Sequence, residues 1–287
     1  MTIALRVRAL VALSLLAACS ASFQPRPEAR AGDGVVFSRE SPFGMVYVVD
    51  VGDRRALRFD RPDGDNQSEI SLSDPLAVPI EFVRLAAAAI AHTGAPRRVM
   101  MIGLGGGNFS TMLWRAFPDT VIEVVEINPV VVEAAVELFG VPRDDPRYRV
   151  AVGDGLEFAR GRKGPYDIIF VDAYDGTDIP AHLATRDFFA LLGERLADGG
   201  VVVLNVAVPD EDEPALVGEF RAVFDQPACY RAVVDDNLIV IGAKGPPASR
   251  EETAEAARRL QTEYDIPIDL GGELAKRVSC DRIGPGH

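Results

Sequence analysis

The chain has 287 residues, 48% hydrophobic and 25% charged, which is the ordinary globular range and excludes a wholly disordered or low-complexity protein. The 30 Lys and Arg against 43 Asp and Glu leave a formal net charge of −13. A surface this acidic repels phosphate backbones, which argues against nucleic-acid partners, and it suits cationic small molecules.

Arg6 and Arg8 precede an apolar run from Ala9 to Ala18. The run is too short to span a bilayer, which takes about 20 residues, and it fits the core of an export signal behind a positive n-region. It ends Leu16-Ala17-Ala18-Cys19, which resembles the lipobox of bacterial lipoproteins. That resemblance implies that residues 1–19 hold the signal, that Cys19 becomes the first residue and carries a lipid, and that the only membrane contact is this anchor at the cell envelope. A start assigned too far upstream would instead leave the protein in the cytoplasm. Residues 20–34 are rich in Pro, Ala, Gly and Ser and read as a flexible tether. Beyond Cys19 stand Cys229 and Cys280. In an oxidising compartment they either pair or stay free thiols, and both outcomes stay open at this point. No CxxC, no HExxH and only 3 His (His92, His182, His287) leave little basis for a metal site.

Residues 35–75 predict a small β domain: short β-prone runs separated by Gly52-Asp53, a turn signal, with "SEISL" continuing the alternation in an antiparallel sheet. Residues 76–93, rich in Ala and Leu with Pro79 in the first turns, predict a helix. It opens a Rossmann-like catalytic domain over 76–287. A buried strand at 97–104 leads through a Gly-rich loop into a helix at 110–117. Strands at 120–127, 148–154, 166–174 and 201–208 then alternate with helices at 129–140, 155–162 and 184–197, the last ending in Asp198-Gly199-Gly200. A helix at 214–224, a hairpin at 230–244 turning on Asp235-Asp236-Asn237, and an acidic helix at 250–262 complete the chain. Apolar strands alternating with helices imply an α/β fold: a doubly wound, mostly parallel sheet covered on both faces.

In such a sheet ligands bind beyond the carboxyl ends of the strands. After the first strand, Gly103, Gly105 and Gly107 form GxGxG, where the backbone turns tightly and approaches a ligand without a Cβ in the way. Asn108 breaks the dinucleotide pattern GxGxxG. Glu126 ends the second strand, where an acid can accept both ribose hydroxyls. Asp154 ends the third and suits either the exocyclic amine of adenine or the N-cap of the following helix, or both. Asp172 and Asp175 end the fourth, with Asp178 nearby. Paired carboxylates at a pocket mouth attract a cation, raise one another's pKa and can deprotonate an attacking amine. The four ends together indicate a nucleoside donor of the S-adenosyl type.

In order and spacing these motifs resemble the spermidine synthase (polyamine aminopropyltransferase) family from about Ser41 to Val206, including "FDRPDGDNQS", which resembles the family's LDGxxQ segment. The resemblance implies that Gln67 contacts the nucleoside, that Gly103, Gly105 and Gly107 form the donor loop, that Glu126 binds ribose and Asp154 adenine, and that Asp172 and Asp175 are the acids of DxxD, with Asp175 the base for the amine. It implies aminopropyl transfer from decarboxylated S-adenosylmethionine to a putrescine-like amine in polyamine biosynthesis, with no tightly bound cofactor, no metal, and a homodimer.

The sequence also departs from the family. The family loop reads GGGDG, and its Asp holds the donor's terminal amine; here that position is Gly106. The acceptor-binding segment falls near "SDPLAVPIEF", where Asp74 matches but Val78, Pro79 and Ile80 replace Tyr, His or Gln, and Glu. Without the Asp, the carboxylate of ordinary S-adenosylmethionine is no longer repelled. Methyl transfer from S-adenosylmethionine is therefore the second reading, and an envelope lipoprotein that binds a nucleoside or polyamine without turnover is the third.

Overall fold

The computed structural model describes residues 34–174, 178–209, 211–234 and 236–283. Strands β1 (Gly34–Ser41), β2 (Gly44–Val51), β3 (Arg54–Phe59) and β4 (Asn66–Ser71) form a 4-stranded antiparallel meander in the order β1-β2-β3-β4. Val46, Val48 and Leu57 are buried on one face of it.

The next segment differs from the predicted helix. Helix α1 spans Glu81–Ala86 and α2 spans Ala88–Thr93, joined at Ala87. Residues 76–80 stay out of the helix because a residue before proline is held away from the helical region, which puts Val78 and then Pro79 in the approach. The Ala-rich run packs into the core: Leu85 through Ile90 are fully buried.

Strand β5 (Arg98–Ile102) opens the alternation, followed by α3 (Asn108–Ala116), β6 (Val121–Glu126), α4 (Pro129–Leu138), β7 (Tyr148–Val152), α5 (Gly155–Gly161), β8 (Tyr166–Val171), α6 (Arg186–Arg195), β9 (Leu196–Val206), α7 (Glu213–Arg221), β10 (Ala228–Arg231), β11 (Leu238–Ala243), α8 (Arg250–Glu263), α9 (Leu270–Ala275) and β12 (Arg277–Val278). The 8-stranded sheet runs β12-β10-β11-β9-β8-β5-β6-β7. From β9 to β7 it is parallel, and β11, β10 and β12 extend it antiparallel. The α/β fold class is thus as expected. Ile168, Ile169, Phe170 and Val171 on β8 are all buried, as a strand covered on both faces requires. Helices α1, α2, α3 and α8 cover one face, and α5, α6 and α7 the other. Helix α4 presents Val130, Val131 and Ala134, and its C-cap Phe139, to Val46, Val48 and Leu57, which seats the small sheet over the end of the large one.

Two further details depart from the sequence reading. The Asp198-Gly199-Gly200 run does not end a helix; it is a bulge inside β9, where the register jumps from Tyr166↔Leu196 to Ile168↔Val201. Helix α9 and strand β12 were not anticipated. Strand β12 pairs Val278 with Cys229, and Cys229 and Cys280 are joined as a disulfide with Cα atoms 5.5 Å apart. The question left open by sequence is resolved in favour of pairing.

One half-buried histidine sets a pH dependence. His92, on α2, meets the Tyr230 hydroxyl at 3.1 Å. Burial, with the charge of Arg277 added, pushes its pKa down from 6.5 to about 4. The unfolded chain therefore binds the proton more readily, so the contribution is intact above the unfolded value and is lost as pH falls towards 4, about 3 kcal/mol in all. Denaturant titrations at pH 7 and pH 5 should show about 2 kcal/mol of this loss in the native protein and a flatter profile in His92→Gln; equal slopes would refute the assignment.

Candidate active site

Beyond the carboxyl ends of β5, β6, β7 and β8 lies a cleft with about 1250 Å³ of empty space, its open mouth included, enough for a nucleoside-sized ligand. The strand order reverses direction around β5, so the loops after β5 and β8 part there and leave the crevice. Gln67, Gly103, Gly105, Glu126, Asp154 and Asp172 all line this cleft. Gln67 comes from β4 of the small sheet, so that sheet forms one wall, together with Phe43 and Phe59.

Gly103 has φ +96, and a Cβ on it would lie 1.9 Å from the carbonyl oxygen of Asp172. Only glycine lets the end of β5 pass so close to the end of β8. Glu126 is buried; its Oε2 accepts from the N–H of Leu104 at 2.9 Å and its Oε1 from that of Asn128 at 2.9 Å. Burial pushes its pKa up, and these N–H bonds work against the rise. The N–H groups of Gly105 and Ile127 also donate toward the carboxylate.

Asp154 serves as helix cap while lining the cleft: Oδ1 accepts from the N–H of Glu157 at 3.0 Å, capping α5. Its Oδ2 lies 2.7 Å from Nε2 of His182. Burial raises its pKa, but the Glu157 N–H and His182 outweigh that and hold the carboxyl below its ordinary value. Asp172 accepts from Nδ2 of Asn205 at 2.8 Å, and Asn205 Oδ1 in turn accepts from Nδ2 of Asn237 at 2.9 Å. Burial pushes the Asp172 carboxyl up to about 6; the Asn205 amide opposes the rise and the charge of Glu126 adds to it.

The remaining residues fall elsewhere. Gly107, at φ +73, is the N-cap of α3 and turns away to line a second cavity with Gly106, Val78 and Arg115. Asp175 and Cys19 lie outside the described residues. His182, Tyr174 and Asn205 were missed. His182 and Tyr174 line the cleft, and the Tyr174 hydroxyl donates to the Asn205 carbonyl and accepts from the Ala207 N–H at 2.8 Å. Asn205 carried a readable signal, an amide in the otherwise apolar run "VVVLNV". His182 carries no motif of its own in the sequence. Among the described residues no group of three or more His, Cys, Asp or Glu is arranged to hold a metal ion, and no helix is long and apolar enough to cross a membrane.

Residues 84–217 match the family model described as "Spermine/spermidine synthase domain". The polyamine aminopropyltransferase of Chromobacterium violaceum is 26% identical over 222 residues, covering 77% of this chain and 85% of that protein. The polyamine aminopropyltransferase of Vibrio vulnificus is 30% identical over 197 residues, 67% of this chain and 66% of that protein. These matches support a spermidine synthase-like family. Its fold is shared with solved structures. A spermidine synthase in complex with the transition state analogue AdoDATO has a TM-score of 0.69 at 19% identity, covering 86% of each chain. Human methyltransferase-like protein 13 in complex with SAH has a TM-score of 0.57 at 23% identity, covering 71% of this chain and 96% of that one.

The structure gives a packing reason for one departure from the spermidine synthase-like loop. A Cβ at Gly106 would lie 2.6 Å from Oγ of Ser68 and 2.8 Å from Cδ1 of Phe139. Ser68 is itself tied to Asn108, its hydroxyl donating to the side-chain carbonyl. The small sheet thus occupies the space that an aspartate side chain at 106 would need.

Proposed function

We propose that this chain is a transferase moving an aminopropyl group from decarboxylated S-adenosylmethionine to an amine acceptor of the putrescine class. One observation carries the reading: Gln67, Gly103, Gly105, Glu126, Asp154 and Asp172, brought from separate strands, meet in a single nucleoside-sized cleft. In this reading Glu126 accepts the ribose hydroxyls, Asp154 accepts from the exocyclic amine of adenine, and the glycine loop lets the backbone close on the donor. The acceptor nitrogen attacks the carbon next to the sulfonium. A C–N bond forms, the C–S bond breaks, and its electron pair leaves on sulfur as a neutral thioether. The displaced amine proton goes to Asp175, and the anionic form of Asp172 faces the cationic donor. The protein's work is orientation and keeping the nucleophile unprotonated.

Methyl transfer from S-adenosylmethionine is the second reading, favoured by the glycine at 106 in place of the acid that would repel the donor's carboxylate. Calorimetric titration of S-adenosylmethionine, its decarboxylated form and methylthioadenosine, followed by a product assay with putrescine, separates the readings. Binding of the decarboxylated donor with spermidine formed is expected. Preference for the carboxylated donor would transfer the case to methylation, and binding without turnover to the ligand-holding lipoprotein. Asp175→Asn is expected to abolish turnover while sparing donor binding; an intact rate would remove Asp175 from the role of base.

We also infer that the protein is held at the cell envelope by a lipid on Cys19. The motif before Cys19 supports this, and so does the Cys229–Cys280 disulfide, since such bonds persist in oxidising compartments. Cys19→Ser should move the protein from the membrane fraction to the soluble one; unchanged sedimentation would refute the anchor.

A further inference from the structure

His182 sits on a 3-10 turn, Ala181–Leu183, that follows Pro180 and overhangs the base end of the cleft. The turn is fixed from within. The Leu183 N–H donates to the Pro180 carbonyl at 2.7 Å, and the Leu183 side chain is buried beside α5, within 3.6 Å of where a Cβ on Gly155 would stand. The imidazole itself is half-exposed, with Nε2 2.7 Å from Asp154 Oδ2. The other carboxylate oxygen is already committed to the Glu157 N–H. Asp154 is therefore gripped at both oxygens, by the Glu157 N–H on one side and an imidazole on the other, with the Leu156 N–H also donating to the carboxylate, which leaves lone-pair capacity for one ligand donor.

This arrangement has a defined hydrogen-bonding polarity. A bond to a carboxylate requires the proton on Nε2, which in the neutral ring leaves Nδ1 as an acceptor. The base end of the cleft then presents acceptors from both residues. A purine bearing a 6-amino group donates to such an edge. A purine bearing a 6-oxo group brings an oxygen lone pair against the carboxylate, and its nearest donor is the N1–H, one ring position away, so it is disfavoured at an edge aimed at the 6-position.

We propose that His182 is a positioning residue that sets base selectivity: by donating from Nε2 it holds the Asp154 carboxylate aimed into the cleft and makes the site specific for 6-aminopurine over 6-oxopurine nucleosides. The inference rests on the reading of this cleft as a nucleoside-donor site and goes beyond it by assigning the base discrimination to a residue outside the matched motifs. His182→Ala removes the donor. His182→Gln restores an N–H near the position of Nε2 without a titratable ring.

The test is calorimetry of the intact protein with methylthioadenosine and with methylthioinosine, which differ in the 6-substituent and in the proton that the 6-oxo form carries on N1. Native protein should prefer methylthioadenosine. His182→Ala should weaken methylthioadenosine binding about tenfold, because the 6-amino group loses its charge-assisted hydrogen bond to a carboxylate no longer held in place, and leave methylthioinosine nearly unchanged, so that selectivity collapses. His182→Gln should recover most of it. Unchanged affinity and selectivity in His182→Ala would overturn the proposal. So would an equal loss for both nucleosides, which marks a merely structural role, and so would a Gln variant as impaired as the Ala variant. Native protein that binds neither nucleoside would instead defeat the nucleoside-site reading itself, whatever the variants do.

Discussion

Glu126→Ala is expected to reduce the affinity for methylthioadenosine by at least about a hundredfold, the largest single effect at the site. Two hydrogen bonds to a charged acceptor contribute about 1.5–3 kcal/mol each, and every 1.4 kcal/mol is roughly tenfold. The loss has a second source within the protein. Leu104 and Asn128 donate their N–H groups to the two oxygens, so the carboxylate also ties the loop after β5 to the loop after β6. Truncation leaves both N–H groups without their acceptor, and the glycine loop loses its fixed position beside the ligand. Glu126→Gln separates the two contributions. It keeps one carbonyl oxygen and the side-chain volume, and its affinity should fall between those of the native protein and the alanine variant. Calorimetry gives the affinities, and thermal melting shows that the variants are folded. Native-like binding by Glu126→Ala would remove ribose recognition from this residue.

Gly103→Ala carries the second large effect, and it acts on stability. At φ +96 an L-residue is strained, and the added Cβ would overlap the Asp172 carbonyl at 1.9 Å. A backbone oxygen just past the end of a central strand cannot swing aside as a side chain can, so the ends of β5 and β8 must part. A cost of about 3 kcal/mol or more is expected, lowering the melting temperature by roughly 6–12 °C. Gly153→Ala is the control. Gly153 lines the same cleft, yet nothing lies within 4 Å of a Cβ placed there. Its melting temperature should stay near native. Equal melting temperatures for the two variants would show that the close approach of β5 to β8 is not a constraint on folding.

Much of this site was legible before any coordinates. Glu126, Asp154 and Asp172 each end an apolar run, and in a parallel sheet all such ends emerge on one edge. Asp154 was also legible as a helix cap, and it fills that place while facing the cleft. Other features left weaker traces. The helix after Pro79 was predicted too early because composition outweighed the restraint that a proline places on its predecessor. Asp198-Gly199-Gly200 looked like a helix stop because a bulge and a C-cap use the same residues.

Periodicity and strand-end chemistry, which are local properties, determined the α/β class, the glycine loop and the acids of the crevice from sequence. Only the tertiary structure decided that Gln67 reaches the same cleft from a separate sheet, that Gly107 faces a different cavity from Gly103 and Gly105, that Ser68 and Phe139 fill the space beside Gly106, that His182 grips Asp154, and that Cys229 meets Cys280. Each of these is a contact between residues far apart in the chain, set by how layers pack against one another, and no local pattern encodes the distance across a packed interface.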